Sequence, residues 1–302
     1  MRKKMVESIT FKTKGKTYHL EIDRINPNVL TAGSPGRIEN LMKYLDEAEL
    51  IEGKRKHTVV HGKYKGVPVS GVSTGMGPAS AAIILPEIIE MAKGPIVMLR
   101  LGTSGSLQPW VKLGDLVISE GVVRDEITTN AVVGSEYPAV ASPELLPILI
   151  EAAREQGYKL GKNLWTGITH VKSDLYFCEA PHFSPSKELM DAKLLSYKRM
   201  GVLASAMEFS VYCIHRDYFE GCRNRILVGN LLSIIAAAPE AGAIDVSKVN
   251  KEEIEDRLTR VGLDSLVLAN KVREGDGKID LTPVIRQMIE MPPRSKLSKA
   301  FK

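Results

Sequence analysis

Short apolar runs alternate along the chain with longer stretches whose apolar residues recur every three or four positions. The short runs, at 28–32, 67–74, 95–101, 115–123, 165–171 and 225–235, are bounded by small and polar residues and are predicted as buried strands. The helical period predicts helices over 36–50, 78–92, 142–156, 186–200, 207–218, 251–272 and 281–290. Pro78 occupies a favoured first-turn position, whereas Pro86, inside the same helix, predicts a kink or a freed carbonyl. Repeated strand–helix alternation predicts the α/β class, as a single three-layer domain with a mixed central β-sheet flanked by helices. The expected domain spans 17–290, with basic tails at 1–16 and 291–302 that are expected to be mobile.

Composition then removes several classes of function. With 302 residues, 44% of them hydrophobic and 25% charged, the chain has the material for a large core and is not globally disordered. No apolar stretch approaches the roughly 20 residues that span a bilayer, and the basic start lacks the apolar centre of a secretory signal. Cys178, Cys213 and Cys222 have neither disulfide-framework nor zinc-ligand spacing, which predicts reduced, inert thiols and a cytoplasmic location. His57, His61, His170 and His215 show no metal spacing either, so no metal is expected. The net charge of +5 gathers largely at Arg2–Lys4, at Lys54, Arg55 and Lys56, and near the carboxyl end. No aromatic residues interleave these clusters, so neither nucleic acid nor membrane is an expected partner, and scattered arginines suit a small anionic substrate.

Ligands of α/β sheets bind at the carboxyl ends of strands, which directs attention to the turns there. Gly33-Ser34-Pro35-Gly36-Arg37 joins a glycine, past which backbone N–H groups can approach an oxyanion, to a guanidinium. Arg100 lies inside an otherwise apolar strand and requires an internal carboxylate or an anionic ligand, with Thr103 and Ser104 just beyond it. Ser73-Thr74-Gly75-Met76-Gly77 is a third small-residue strand end, but neither a complete GxGxxG nor a GxxxxGK[ST] is present.

In chain order, GSPGR, STGMGPAS, RLGTSGSLQPWVKLGDLVI, SDLYF and the Met207-Glu208 pair resemble the nucleoside phosphorylase family, of the uridine phosphorylase and purine nucleoside phosphorylase type, over about 17–235. The resemblance implies a grip on inorganic phosphate, the co-substrate, by Gly33, Arg37, Arg100 and Thr103, completed by Arg55 from a neighbouring subunit. It implies that Met207, Glu208 and Thr103 hold the ribose, with His19 reaching the neighbour's 5′-hydroxyl, and that Tyr176 or Phe177 stacks on the base. The implied catalytic residues are Arg100, Glu208 and Arg37; no cofactor is implied. A homo-oligomer is expected, with a dimer as the functional unit and a hexamer as the full assembly. Plain structural roles remain open: a solvated charge run for Arg55, an internal ion pair for Arg100, a helix start for Glu208, core packing for Tyr176 and Phe177.

The departures concern the base. The family has a further glutamate where this chain has Ala206, and its uracil-reading glutamine and arginine align with Ala180 and His182. His182 is a candidate base contact or a surface histidine, and the later base-reading position falls near Ser233. The expected activity is phosphate-dependent cleavage of a nucleoside to free base and ribose 1-phosphate. The alternatives are a phosphate-independent nucleosidase and a non-catalytic nucleoside-binding relative.

Overall fold

The computed structural model describes residues 10–179, 184–221, 224–236, 250–275 and 280–291. Near the amino end, β1 (Lys12–Thr13) and β2 (Lys16–Thr17) form a small hairpin across the expected boundary between tail and domain. The strands β3 (Asn28–Ala32), β4 (Asp46–Glu52), β5 (Thr58–Tyr64), β6 (Val67–Ser73), β7 (Ile96–Ser106), β8 (Leu116–Asp125), β9 (Ala139–Val140), β10 (Leu164–Lys172), β11 (Ala204–Ala206) and β12 (Ile226–Ala236) follow. Between and after them lie α1 (Pro35–Glu39), α2 (Pro78–Met91), α3 (Leu145–Glu155), α4 (Tyr176–Glu179), α5 (Lys187–Arg199), α6 (Phe209–Glu220), α7 (Lys251–Glu274) and α8 (Thr282–Glu290).

The period-two alternation of β7 shows how the layers are set. Val97, Leu99 and Leu101 point to one face and pack with apolar residues of α3, α7 and α8. Ile96 and Met98 point to the other and pack with α2 and α6. Arg100, two residues beyond Met98, therefore belongs to the α2–α6 face. The sheet is mixed, in the order β11-β10-β8-β12-β7-β3-β6-β5-β4 with β9 on β8. β6, β3, β7 and β12 run parallel to their neighbours in that group, whereas β8 is antiparallel to β12 and β5 to both β4 and β6. β11 also pairs antiparallel with the end of β7, Ala204 opposite Ser106 and Ser205 opposite Gly105. This folds one edge of the sheet onto its middle and brings distant strand ends together.

Two sequence expectations fail, each for a pairing reason. The helix expected over 36–50 ends at Glu39, continues as a 3-10 turn over Asn40–Lys43, and gives way to β4. β4 is mostly exposed and is held by antiparallel pairing with β5, an interaction that local helical period cannot register. The turn expected after Leu101 is instead extended, because residues 102–105 pair with β12 and the end of β7 also pairs with β11. The remaining expected strands and helices are found close to their expected bounds, β5, β9, β11 and α4 were not expected, and α2 runs through Pro86 as one helix. Cys213 lies in the core, where burial pushes its thiol up to about 12; burial also raises Cys178, and Cys222 lies outside the described residues.

Candidate active site

Arg100 and Glu208 meet in the α2–α6 layer. Both are buried, and Arg100 Nη2 hydrogen-bonds Glu208 Oε2. Arg100 Nη1 also donates to Asn230 Oδ1 (3.2 Å), its register partner on β12. The guanidinium curls back over Gly102, where an added Cβ would stand 2.2 Å from Nη1, so a side chain there would displace it. Glu208 immediately precedes α6, and its Oε1 accepts from the backbone N–H of Gly77 at 2.9 Å. Gly77 has a φ of +86°, a left-handed conformation open to glycine. The carboxylate that Arg100 required is therefore Glu208, delivered from a segment more than a hundred residues away.

Arg37, in the single turn of α1, donates from Nη1 to the carbonyl of Leu101 (3.2 Å) and from Nη2 to Glu255 Oε1 of α7 (2.7 Å). Its Nε is buried without a hydrogen-bond acceptor among the described residues. Gly33, where a Cβ would approach Gly75 O to 3.1 Å, lets the turn after β3 lie close to the turn after β6. These groups share one cavity of about 300 Å³, the size of a small-ligand site. Gly33, Arg37, Arg100 and Thr103 line it together with Met207 and Glu208. Two guanidinium groups thus flank a concave space, with a buried carboxylate bound to one of them.

The family model of the phosphorylase superfamily matches residues 27–214. The chain belongs to the phosphorylase superfamily. Within this superfamily it is 38% identical over 165 residues to uridine phosphorylase of Thermococcus kodakarensis, covering 54% of this chain and 57% of that protein. It is 32% identical over 142 residues to guanosine phosphorylase of Halorubrum lacusprofundi, covering 46% and 58%. The matches thus span a little over half the length of these two relatives. The crystal structure of Vibrio fischeri uridine phosphorylase complexed with 6-hydroxy-1-naphthoic acid superposes with a TM-score of 0.68 at 25% identity, over 85% of this chain and 97% of that one.

Of the other residues singled out in this superfamily member, several stand away from the cavity. His19 bonds Glu87, through Nδ1 (2.8 Å) and its backbone N–H, and does not line the wall. Arg55 is exposed, with φ +55° in the 3-10 turn Lys54–Lys56. The two segments meet, since Lys54 N donates to His19 O at 2.8 Å. Tyr176 and Phe177, which the resemblance implies stack on the base, are 76% and 48% exposed and do not line the cavity, whereas the adjacent Leu175 does. Asp174 Oδ1 accepts from Phe177 N (2.7 Å) at the start of α4. Ser233 is buried on β12 but absent from the wall; His182 and Ala180 lie outside the described residues.

Sequence reasoning missed Glu255, Leu175, Ser205 and Lys172, and named the turn that holds Gly77 without its bond to Glu208. Lys172 carried the same signal as Arg100, a cation in an apolar strand, here at the end of β10. It is buried, lines the cavity, and donates from Nζ to Ser205 Oγ at 2.7 Å. Among the described residues no cluster of three or more His, Cys, Asp or Glu could hold a metal, and no helix is long and apolar enough to cross a membrane.

Proposed function

We propose that the chain is a nucleoside phosphorylase, which cleaves a nucleoside with inorganic phosphate to give a free base and a ribose 1-phosphate. The observation that carries this reading is the convergence of Arg37, Arg100, Gly33 and Thr103 with Met207 and Glu208 on one cavity. The guanidinium groups and the Thr103 hydroxyl supply donors for a doubly charged oxyanion, and bidentate geometry suits it. Glu208 accepts from the ribose hydroxyls while Met207 forms an apolar floor. The glycosidic bond stretches toward an oxocarbenium-like sugar, its electron pair leaving with the base, as a phosphate oxygen bonds to the anomeric carbon. Alignment and preorganised charge supply the acceleration, with inorganic phosphate the co-substrate and no organic cofactor needed.

The uridine and guanosine phosphorylases among its relatives support this reading without fixing the base. The exposed Arg55, beside Lys54 whose N–H bonds the His19 carbonyl, supports a homo-oligomer, with a dimer as the working unit and a hexamer as the full assembly. The test is base release from a panel of purine and pyrimidine nucleosides, with and without inorganic phosphate. Phosphate-dependent release is expected. Release that ignores phosphate would make the chain a nucleosidase, and binding without release would make it a non-catalytic relative.

A further inference from the structure

Resting on that reading of the cavity, the two guanidinium groups differ in what holds them. Arg100 is held by Glu208, which itself lines the cavity and, in the proposed function, accepts from the ribose. Arg37 is held by Glu255 of α7, whose Oε1 lies 2.7 Å from Nη2, and Glu255 is not part of the cavity wall. No step of the proposed reaction uses this second carboxylate. It meets the guanidinium from outside the wall, on the second turn of α7, and its side chain is 24% exposed against 11% for Arg37.

A carboxylate at that place has two opposed effects. It restrains Arg37, and it cancels positive charge that the cavity would otherwise offer an anion. The restraint is duplicated, because Nη1 donates to the Leu101 carbonyl at 3.2 Å and ties the same guanidinium to β7. The charge effect is not duplicated. Arg100 is matched by Glu208 and Arg37 by Glu255, so these four groups together carry no net charge. A phosphate on the cavity side of Arg37 would be separated from Glu255 by one guanidinium, well inside the screening length of about 8–10 Å. Repulsion between a carboxylate and a doubly charged anion at that range outweighs the rotamer freedom that Glu255 takes from a side chain already tied once.

We propose that Glu255 sets the phosphate affinity of the site, holding it down by neutralising Arg37 from outside the cavity. A restrained grip suits a reaction that takes up inorganic phosphate and must then let a sugar phosphate go. Removing the charge of Glu255 is expected to tighten inorganic phosphate about tenfold.

Calorimetric titration of the full chain with inorganic phosphate, in the absence of nucleoside, tests this. Glu255→Gln is expected to bind phosphate about tenfold more tightly than the wild type. Glu252→Gln makes the same charge change on an exposed residue one turn earlier and is expected to alter the affinity by less than about twofold. In an Arg37→Met background, Glu255→Gln is expected to bring no gain. Glu255→Ala replaces the Gln variant if that one fails to fold by circular dichroism. An equal gain from Glu252→Gln, a gain that survives Arg37→Met, or no phosphate binding by either wild type or Glu255→Gln would overturn the proposal. So would unchanged or weaker binding by Glu255→Gln, the weaker result making Glu255 a residue that orients Arg37. Phosphate-dependent base release, measured separately, scores the phosphorylase reading, so the two can fail independently.

Discussion

The two ends of the cavity are assembled differently. At the β3–β7 end, both guanidinium groups already hold carboxylates from remote segments, Arg100 with Glu208 and Arg37 with Glu255. At the β10–β11 end, the buried Lys172 donates to the Ser205 hydroxyl, which His170 also approaches, while Asp125 bonds His170 and Lys193. Under the proposed function, the Arg100–Glu208 pair couples anion binding to the sugar site, since the guanidinium proposed to grip phosphate holds the carboxylate proposed to accept from ribose. This difference fits a superfamily whose relatives bear the names of uridine, guanosine and purine phosphorylases.

Substitutions can break or sharpen the contrast. The largest effect is expected from Arg100→Met, which should lower phosphate-dependent kcat/KM by about 10³-fold. The same change leaves Glu208 buried without its cation and should cost roughly 3 kcal/mol of stability in denaturant unfolding. Near-normal turnover in this variant would dissolve the coupling at the β3–β7 end. Glu208→Gln comes next, with an expected loss of about 10²-fold on ribonucleosides and a smaller loss on 2′-deoxyribonucleosides. Equal losses on both would reduce Glu208 to a counter-ion for Arg100.

Arg37→Met is expected to raise KM for phosphate about tenfold while KM for the nucleoside stays within roughly twofold. A parallel rise in both constants would erase the division of the cavity into ends. The smallest effect on turnover belongs to His215, buried in α6 away from both ends, whose burial pushes its pKa down to about 4. The unfolded chain gains that proton below the ordinary value near 6.5 while the folded one does not. Stability should therefore fall as pH drops from about 6.5 toward 4, by at most roughly 3 kcal/mol from this group. His215→Leu should flatten that part of the unfolding curve and leave kcat unchanged.

How much of this was legible in the sequence follows the range of the interactions. Apolar runs such as Asn28–Ala32 report burial on both faces of a strand, a local property, and their positions were correct. The exposed edge strand β4 and the extended residues 102–105 depend on pairing with distant segments, which no local period encodes. Arg100 could be singled out because a guanidinium in an apolar strand demands a partner; that the partner is Glu208 depends on where α6 begins. Gly33, Arg37, Thr103, Met207 and Glu208 were found through the resemblance of ordered turns, and the fold brings them to one wall. Tyr176 and Phe177 were named through the same resemblance and stand exposed at the start of α4, where Asp174 accepts from Phe177 N. Glu255 escaped notice because nothing in a long, charged helix distinguishes the carboxylate that meets Arg37 from its neighbours.

The central claim is that the paired guanidinium groups present inorganic phosphate to the anomeric carbon of a bound nucleoside. Phosphorus-31 NMR of a turnover mixture, with the nucleoside that releases most base, reads this directly. The account predicts a sugar-phosphate ester resonance that grows as inorganic phosphate declines, in one-to-one proportion to the free base. Base appearing with free ribose, while the inorganic phosphate signal stays constant, would contradict it.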